Sequence, residues 1–259
     1  MGILQAGVLG IIQGLTEFLP VSSSGHLIFL PKLFGWADQG LAFDAIIHLG
    51  TLIAVVWYFR RRLWDIVAER RGEQRKLGLL ILLTVIPAGV AGLLFGDWIE
   101  THLRGVGVVA FGMIFWGIVL YVAEVKSKKH EVKSLDVASW KAALFVGCAQ
   151  AIALVPGTSR SGITMTAGLF SKLDKKSAAE FSFLISVPII ALAGLKSLFD
   201  LWRDGFSDLN WLALSVGLVA AALSGLLAIW GLLKMLQKWS FKPFVVYRIV
   251  IGILIILLF

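Results

Sequence analysis

The sequence predicts an all-α polytopic membrane protein, with six transmembrane helices and two re-entrant helical hairpins arranged as an inverted repeat. Three observations lead there. Of the 259 residues, 58% are hydrophobic and the mean hydropathy is +0.88, well above the roughly half-apolar composition of a soluble domain. Apolar runs of about twenty residues recur along the whole chain, each long enough to cross a bilayer. Two further apolar regions are interrupted in the middle by Pro, Ser and Gly. No stretch is left over for a soluble domain, so residues 1–259 read as one integral membrane domain. The N-terminus lacks the basic start and small-residue cleavage site of a signal peptide, and its apolar stretch contains Gln13 and Glu17.

Six segments read as full spans, at 41–59, 77–96, 105–123, 179–200, 211–233 and 243–259. The interrupted regions are 2–34 and 138–170, broken at Pro20-Val21-Ser22-Ser23-Ser24-Gly25 and at Pro156-Gly157-Thr158-Ser159-Arg160-Ser161-Gly162. Irregular backbone at membrane depth survives only where protein or a wet cavity satisfies its polar groups, so both read as re-entrant hairpins. Basic residues support that choice. Loops 60–76, 124–141, 171–178 and 234–242 then share one side and carry seven, five, three and three Lys/Arg, against Lys32, Arg104 and Arg203 on the other. Were both broken regions full spans, two of those loops would change sides and the asymmetry would shrink. The positive-inside rule therefore puts both termini outside. It also accounts for the net charge of +8 without a nucleic-acid partner. Arg160, Lys196 and Arg248 belong to neither set; Lys196 and Arg248 read as side chains that snorkel to the interface. The single cysteine, Cys148, reads as a small packed hydrophobe and excludes a disulfide framework.

The halves, approximately 1–123 and 138–259, resemble each other. Gln13 to Gly25 spans twelve residues, as does Gln150 to Gly162; each stretch follows a glycine by three, contains a proline and ends in Ser-x-Ser-Gly. Phe43 to Ala54 is echoed by Phe181 to Leu192. Three spans per half invert the second copy relative to the first, a plan that places binding sites near the midplane where broken helices meet.

Glu17, Asp44, Arg160 and Glu180 lie within or at the edge of apolar segments. Each would cost about 2.5–3.5 kcal/mol at the bilayer centre, so they are expected to face one another, water or a ligand. Structural pairing, for instance of Glu17 with Arg160, is the bland alternative. Gln13 and Glu17 share a helix face, and Gly10 and Gly14 form a small-xxx-small ridge for a close neighbour. Pro20 ends the first helix, and Ser22, Ser23 and Ser24 offer N-caps for a second starting near Gly25. His26 follows Ser23 by three residues, so the two can act as base and nucleophile or as two phosphate ligands. In the second break Ser159 and Ser161 can cap a helix starting near Gly162, whose N-terminus favours an anion. Arg160 adds a forked cationic donor, with Thr164 one turn away. Two helix starts, a guanidinium, hydroxyls and an imidazole suit a phosphate group. A carboxylate beside a phosphate suggests a divalent cation, Mg²⁺ or Ca²⁺, held by Glu17 and Asp44.

At these residues the chain closely resembles the undecaprenyl-pyrophosphate phosphatase family of the bacitracin-resistance type. The first motif stands as Gln13-Gly14-Leu15-Thr16-Glu17 followed by Phe18-Leu19-Pro20-Val21-Ser22-Ser23-Ser24-Gly25-His26, and the second as Pro156-Gly157-Thr158-Ser159-Arg160-Ser161-Gly162-Ile163-Thr164. Phe43-Asp44 with His48-Leu49-Gly50-Thr51 is also similar, and the likeness runs nearly end to end. It departs mildly at position 13, where Gln leaves no second carboxylate for a metal. The resemblance implies hydrolysis of undecaprenyl pyrophosphate to undecaprenyl phosphate and inorganic phosphate, recycling the lipid carrier of cell-wall synthesis in the bacterial inner membrane. It implies that Glu17, His26 and Arg160 are essential and Ser23 the nucleophile. Gln13, Ser22, Ser24, Gly25, Asp44, Ser159, Ser161, Gly162 and Thr164 would bind substrate. On this reading His26 deprotonates Ser23 or a water, and Glu17 orients His26 or holds the cation. The rival of another class is a flippase that carries a polyprenyl phosphate without chemistry; a base beside a hydroxyl speaks for the enzyme. The glycine-rich span 105–123 can pack either within the chain or across a homodimer.

Overall fold

The computed structural model describes residues 1–69, 71–128, 134–135, 139–204 and 210–259, without the side chains of Leu41 and Asp204. The described residues form eleven helices: α1 (Ile3–Phe18), α2 (Ser23–Phe34), α3 (Gly40–Tyr58), α4 (Arg60–Ala68), α5 (Glu73–His102), α6 (Val106–Ser127), α7 (Trp140–Ile152), α8 (Arg160–Phe170), α9 (Lys175–Asp204), α10 (Trp211–Leu236) and α11 (Lys242–Leu258). A helix covers each of the six expected spans, and each expected break falls between two helices. α5, α6, α9 and α10 are each long and apolar enough to cross a bilayer; α3 joins them if it is counted together with α4, from which a 73° bend separates it. At 30 residues each, α5 and α9 reach about 45 Å. Parts of the expected loops 124–141 and 200–210 lie outside the described residues.

The exterior is apolar and the interior partly polar, the reverse of a soluble domain. Leu4, Leu93, Leu94 and Leu257 are exposed, whereas Gln13, Glu17, Ser22, His26, Gln150 and Arg248 are buried. This distribution makes the chain a multi-pass membrane protein. The expected loop 60–76 is partly helical. Arg60 ends α3 by donating to the Trp57 carbonyl (2.8 Å) and lying over the Trp57 ring. In α4, Leu63 and Ile66 pack against the core while Trp64 and Val67 stay exposed. Apolar residues on one side and three arginines at the start suit an interfacial helix, which loop composition alone does not distinguish from coil.

Glycines set the closest helix contacts. α1 lies along α10, and a Cβ at Gly10 would stand 2.4 Å from the Gly217 carbonyl oxygen. At Gly14 it would meet Ser224 Oγ at 2.0 Å and the Ala221 carbonyl oxygen at 2.4 Å. α7 approaches α5 in the same way, with Gly147 against Thr84. Two glycines of α6 are used within the chain, Gly112 against Gly157 and Gly117 against Arg248, while a Cβ at Gly107 would meet nothing within 4 Å. Below the breaks, Phe18 and Phe183 meet edge-on at 5.5 Å within the largest apolar cluster. Cys148 is exposed rather than packed, because α7 turns Ala143, Val146, Gly147 and Gln150 inward and leaves position 148 on the opposite face.

Gly14→Ala is expected to lower stability by about 1–3 kcal/mol through overpacking. Gly89→Ala, where a Cβ meets nothing within 4 Å, should leave it unchanged or improve it through helix propensity. Thermal unfolding of the two variants in detergent checks this; equal midpoints would mean that α1 and α10 separate without cost.

Candidate active site

Each break is built around a serine forced into positive φ. In the first, α1 ends at Leu19 and the chain turns through Ser22, at φ 75°, whose Oγ accepts from the Gly25 amide to start α2. In the second, Ser159 at φ 71° accepts from the Gly162 amide to start α8. Positive φ in a residue with a Cβ costs on the order of 1–3 kcal/mol and persists only where its surroundings over-determine it. Both helices begin two residues earlier than the sequence suggests, with Ser22 and Ser159 as the caps. Ser24 and Ser161 lie within 3.4 and 3.3 Å of those capping hydroxyls. Ser161 Oγ also donates to the Leu19 carbonyl (3.0 Å), so the second break closes the end of the helix before the first.

Glu17 is the hub. It is 7% exposed, and Arg160 Nη2 donates to its Oε1 at 2.6 Å. Its Oε2 accepts from Ser23 Oγ at 2.7 Å and Gln13 Nε2 at 3.0 Å, with His48 Nε2 at 3.7 Å. The second guanidinium arm, Arg160 Nη1, donates to the Ser182 carbonyl at 3.1 Å. A carboxylate and a guanidinium 143 residues apart in the chain thus neutralise each other, which permits both to be buried. A cavity of about 240 Å³ opens onto them. Glu17, Ser23, Ser24, Ser159, Arg160, Ser161 and His48 line it beside apolar α9 residues such as Ile190.

Other predicted residues are placed differently. His26 does not pair with Ser23. Its Nδ1 lies 2.7 Å from the Ser22 carbonyl, which can only accept, so Nδ1 carries the proton; its Nε2 meets the Tyr247 hydroxyl at 2.6 Å. The reading in which Glu17 orients His26 is not formed either, since Glu17 contacts His48. Spacing along α2 puts Ser23 and His26 on one face, but Glu17 of α1 claims Ser23 while Tyr247 of α11 claims His26. Asp44 accepts from Gln39 Nε2 at 2.9 Å and lines a neighbouring cavity with His48 and Arg104, so it does not join Glu17 as a paired metal ligand. Thr164 is buried behind the site, where its hydroxyl donates to the Arg160 carbonyl and meets Ser182 Oγ at 2.7 Å. Gln13, Ser22, Gly25 and Gly162 support the lining from behind. Glu180 pairs instead with Lys176 (3.6 Å) on the basic side.

Arg248, read from sequence as snorkelling, is fully buried. Its guanidinium donates to the carbonyls of Met113 (3.0 Å), Pro20 (3.3 Å), Gly112 (3.1 Å), Gly157 (3.0 Å) and Thr158 (2.9 Å). The snorkelling reading fits Lys196, which is exposed beside Asp200. Sequence reasoning also missed Tyr247 and Ser182. An Arg preceded by Tyr inside an apolar helix was the available signal for the first, and the register echo of Asp44 was the signal for the second.

Among the described residues no three His, Cys, Asp or Glu side chains gather as a metal site. The chemistry beside Glu17 nonetheless fits a hard cation shared with a ligand. Gln13, whose Nε2 donates to Glu17, leaves its Oε1 buried without a partner, and magnesium sites commonly combine one or two carboxylates with substrate phosphate oxygens.

Removing one member of a buried ion pair strands the other, at about 3–5 kcal/mol. Arg160→Ala is expected to destabilise by that order, and adding Glu17→Gln should recover part of the loss. Unfolding midpoints of the single and double variants in detergent test this; a double variant less stable than Arg160→Ala would show that the two charges do not depend on each other.

Comparison with known proteins agrees with this arrangement of motifs. Residues 6–254 match the family model described as bacitracin resistance protein BacA. The chain is 48% identical to undecaprenyl-diphosphatase 2 of Stutzerimonas stutzeri, covering 100% of this chain and 99% of that protein. It is 45% identical to undecaprenyl-diphosphatase 1 of Pseudoalteromonas translucida (98% and 97% covered) and 45% identical to undecaprenyl-diphosphatase of Thioalkalivibrio sulfidiphilus (100% of each). With both breaks inside the matched region and full-length relatives at this identity, the chain belongs to the bacitracin resistance protein BacA family.

Proposed function

We propose that this protein hydrolyses undecaprenyl pyrophosphate to undecaprenyl phosphate and inorganic phosphate, with the Glu17–Arg160 pair at the centre of the site. The observation that carries the reading is the Ser23 hydroxyl donating to a buried carboxylate whose other oxygen holds a guanidinium. A protein that only binds or translocates a phosphate has no use for a hydroxyl aimed at a base. An incoming pyrophosphate gives Arg160 a second anionic partner, and the guanidinium fork stabilises charge on the transferring phosphoryl group. Glu17 takes the hydroxyl proton as Ser23 Oγ forms a bond to the terminal phosphorus. The anhydride P–O bond breaks, and undecaprenyl phosphate leaves with the bond electrons. Water then attacks the phosphoserine phosphorus, the Ser23 Oγ–P bond breaks, Glu17 returns its proton to Ser23 Oγ, and both protons of the water leave with inorganic phosphate. The same groups serve direct attack by water, with Glu17 as its base. His26 acts by holding the Ser22 turn rather than by taking the Ser23 proton. A divalent cation, Mg²⁺ or Ca²⁺, is part of the proposal: held by Glu17 and substrate oxygens, it would neutralise phosphate charge.

The architecture behind this reading is an inverted repeat of two halves, each a re-entrant hairpin and three spans, set in the bacterial inner membrane with both termini outside. Helix partners support it by exchanging as such a repeat requires. α1 packs on α10 as α7 packs on α5, and α3 packs on α10 as α9 packs on α5. Ser22 and Ser159 occupy the same place in the two copies with the same backbone sign.

Phosphate release from undecaprenyl pyrophosphate by the purified protein in detergent tests the reading. Glu17→Gln, Ser23→Ala and Arg160→Ala should each lower kcat by about 10²–10⁴. A folded wild type that releases no phosphate with any divalent cation would sink the proposal. Undiminished release by Ser23→Ala would assign the attack to water.

A further inference from the structure

α11 belongs to neither break, yet two consecutive side chains of it reach both. Each break ends a helix early and leaves main-chain carbonyls that lipid cannot satisfy. Pro20 O belongs to the first break, and Gly157 O and Thr158 O to the second; a single guanidinium, that of Arg248, binds all three. Its remaining bonds go to Gly112 and Met113 of α6. The surroundings leave room for it: a Cβ at Gly162 would stand 2.7 Å from Arg248 Nη1, and one at Gly117 would stand 3.3 Å from Arg248 Cβ.

The preceding residue, Tyr247, meets His26 Nε2 at 2.6 Å, and the two rings stack at 5.7 Å with 8° between planes. Because the Ser22 carbonyl fixes the His26 proton on Nδ1, the neutral ring accepts from the tyrosine hydroxyl at Nε2. The chain Tyr247–His26–Ser22 ends on the residue held at positive φ. The start of α11 is itself fixed, since Glu124 Oε2 accepts from the Phe241 amide at 3.1 Å.

We infer that Tyr247 and Arg248 are positioning residues: Arg248 sets the separation of the two breaks, and Tyr247 holds His26, in one tautomer, against the Ser22 turn. Ser23 and Arg160 are the first helical residues after those breaks, so α11 fixes the distance between attacking hydroxyl and phosphate-binding cation. This rests on the phosphatase reading of the site, and a displacement of about 1 Å between such groups can cost on the order of a hundredfold in rate.

The test combines turnover with two readouts that do not need it. Arg248→Ala should lose roughly a hundredfold in kcat with KM changed by less than about threefold. Millimolar guanidinium should restore at least a tenth of the lost rate and raise the variant's unfolding midpoint. Arg248→Lys should not substitute, because an ammonium has three donors and cannot span the five carbonyls. In ¹⁵N-histidine spectra of the wild type, the signal that His26→Gln removes should report a protonated Nδ1, and Tyr247→Phe should shift it toward tautomer exchange while lowering kcat. A folded Arg248→Ala or Arg248→Lys with wild-type kcat and midpoint would overturn the role of Arg248. An unchanged His26 signal in Tyr247→Phe would overturn that of Tyr247. If the wild type hydrolyses nothing, the phosphatase reading fails alone; the guanidinium-dependent midpoint and the histidine spectrum still decide the positioning.

Discussion

A helix broken inside a bilayer must find new partners for its freed carbonyls and amides within the protein, and every other feature of this site follows from how the two breaks do so. Ser22 and Ser159 return their hydroxyls to the amides of Gly25 and Gly162. Ser161 closes the Leu19 carbonyl, and Arg248 closes those of Pro20, Gly157 and Thr158. Four of these six bonds reach from one segment of the chain to another. Satisfying the backbone and docking the two hairpins against each other are therefore one event, and neither hairpin can complete its own hydrogen bonds alone.

With the breaks held together, the buried charges have one arrangement left. Separating Glu17 from Arg160 would leave a charge in a medium where desolvation costs several kcal/mol per ion. Ser23, Gln13 and Arg160 occupy both carboxylate oxygens. On the proposed reading, a phosphate entering the cavity would offer Arg160 a second anion and leave Glu17 with its hydroxyl donor.

The features visible in the sequence were those set by local rules. Six apolar segments became helices because length and composition suffice there, and the serines after Pro20 and before Gly162 became caps because a hydroxyl two or three residues from a free amide is a local solution. Glu17 and Arg160 stood out by cost, since neither could face lipid; their mutual pairing, only the bland alternative in the sequence, is what the structure forms. What escaped was set by packing between distant segments. Helical spacing puts Ser23 and His26 on one side of α2, but that side is divided between α1 and α11. Nothing within α11 says that Arg248 points inward, since an arginine one turn from a membrane surface and one inside a bundle look alike in sequence. Cys148 and α4 were misread for a related reason, because an apolar run does not reveal which of its faces meets protein.

The two breaks use one backbone frame for unlike chemistry. In each, a serine at positive φ is followed by a variable residue, a second serine and a glycine whose amide the first serine caps. The variable residue is Ser23 in one and Arg160 in the other, a neutral hydroxyl and a cation that both bond Glu17; on the proposed reading the first attacks and the second holds what is attacked. Neighbouring positions diverge in the same sense. Glu17 stands in the first hairpin where the second has Leu154, and Asp44 in α3 stands where α9 has Ser182, whose carbonyl steadies Arg160. Two hydroxyls facing each other would lack a counter-charge for phosphate, and two arginines would repel across a gap too small to hydrate both. An unlike pair on a like frame avoids both faults, and because the frame is fixed by main-chain bonds the side chains at 23 and 160 are free to differ.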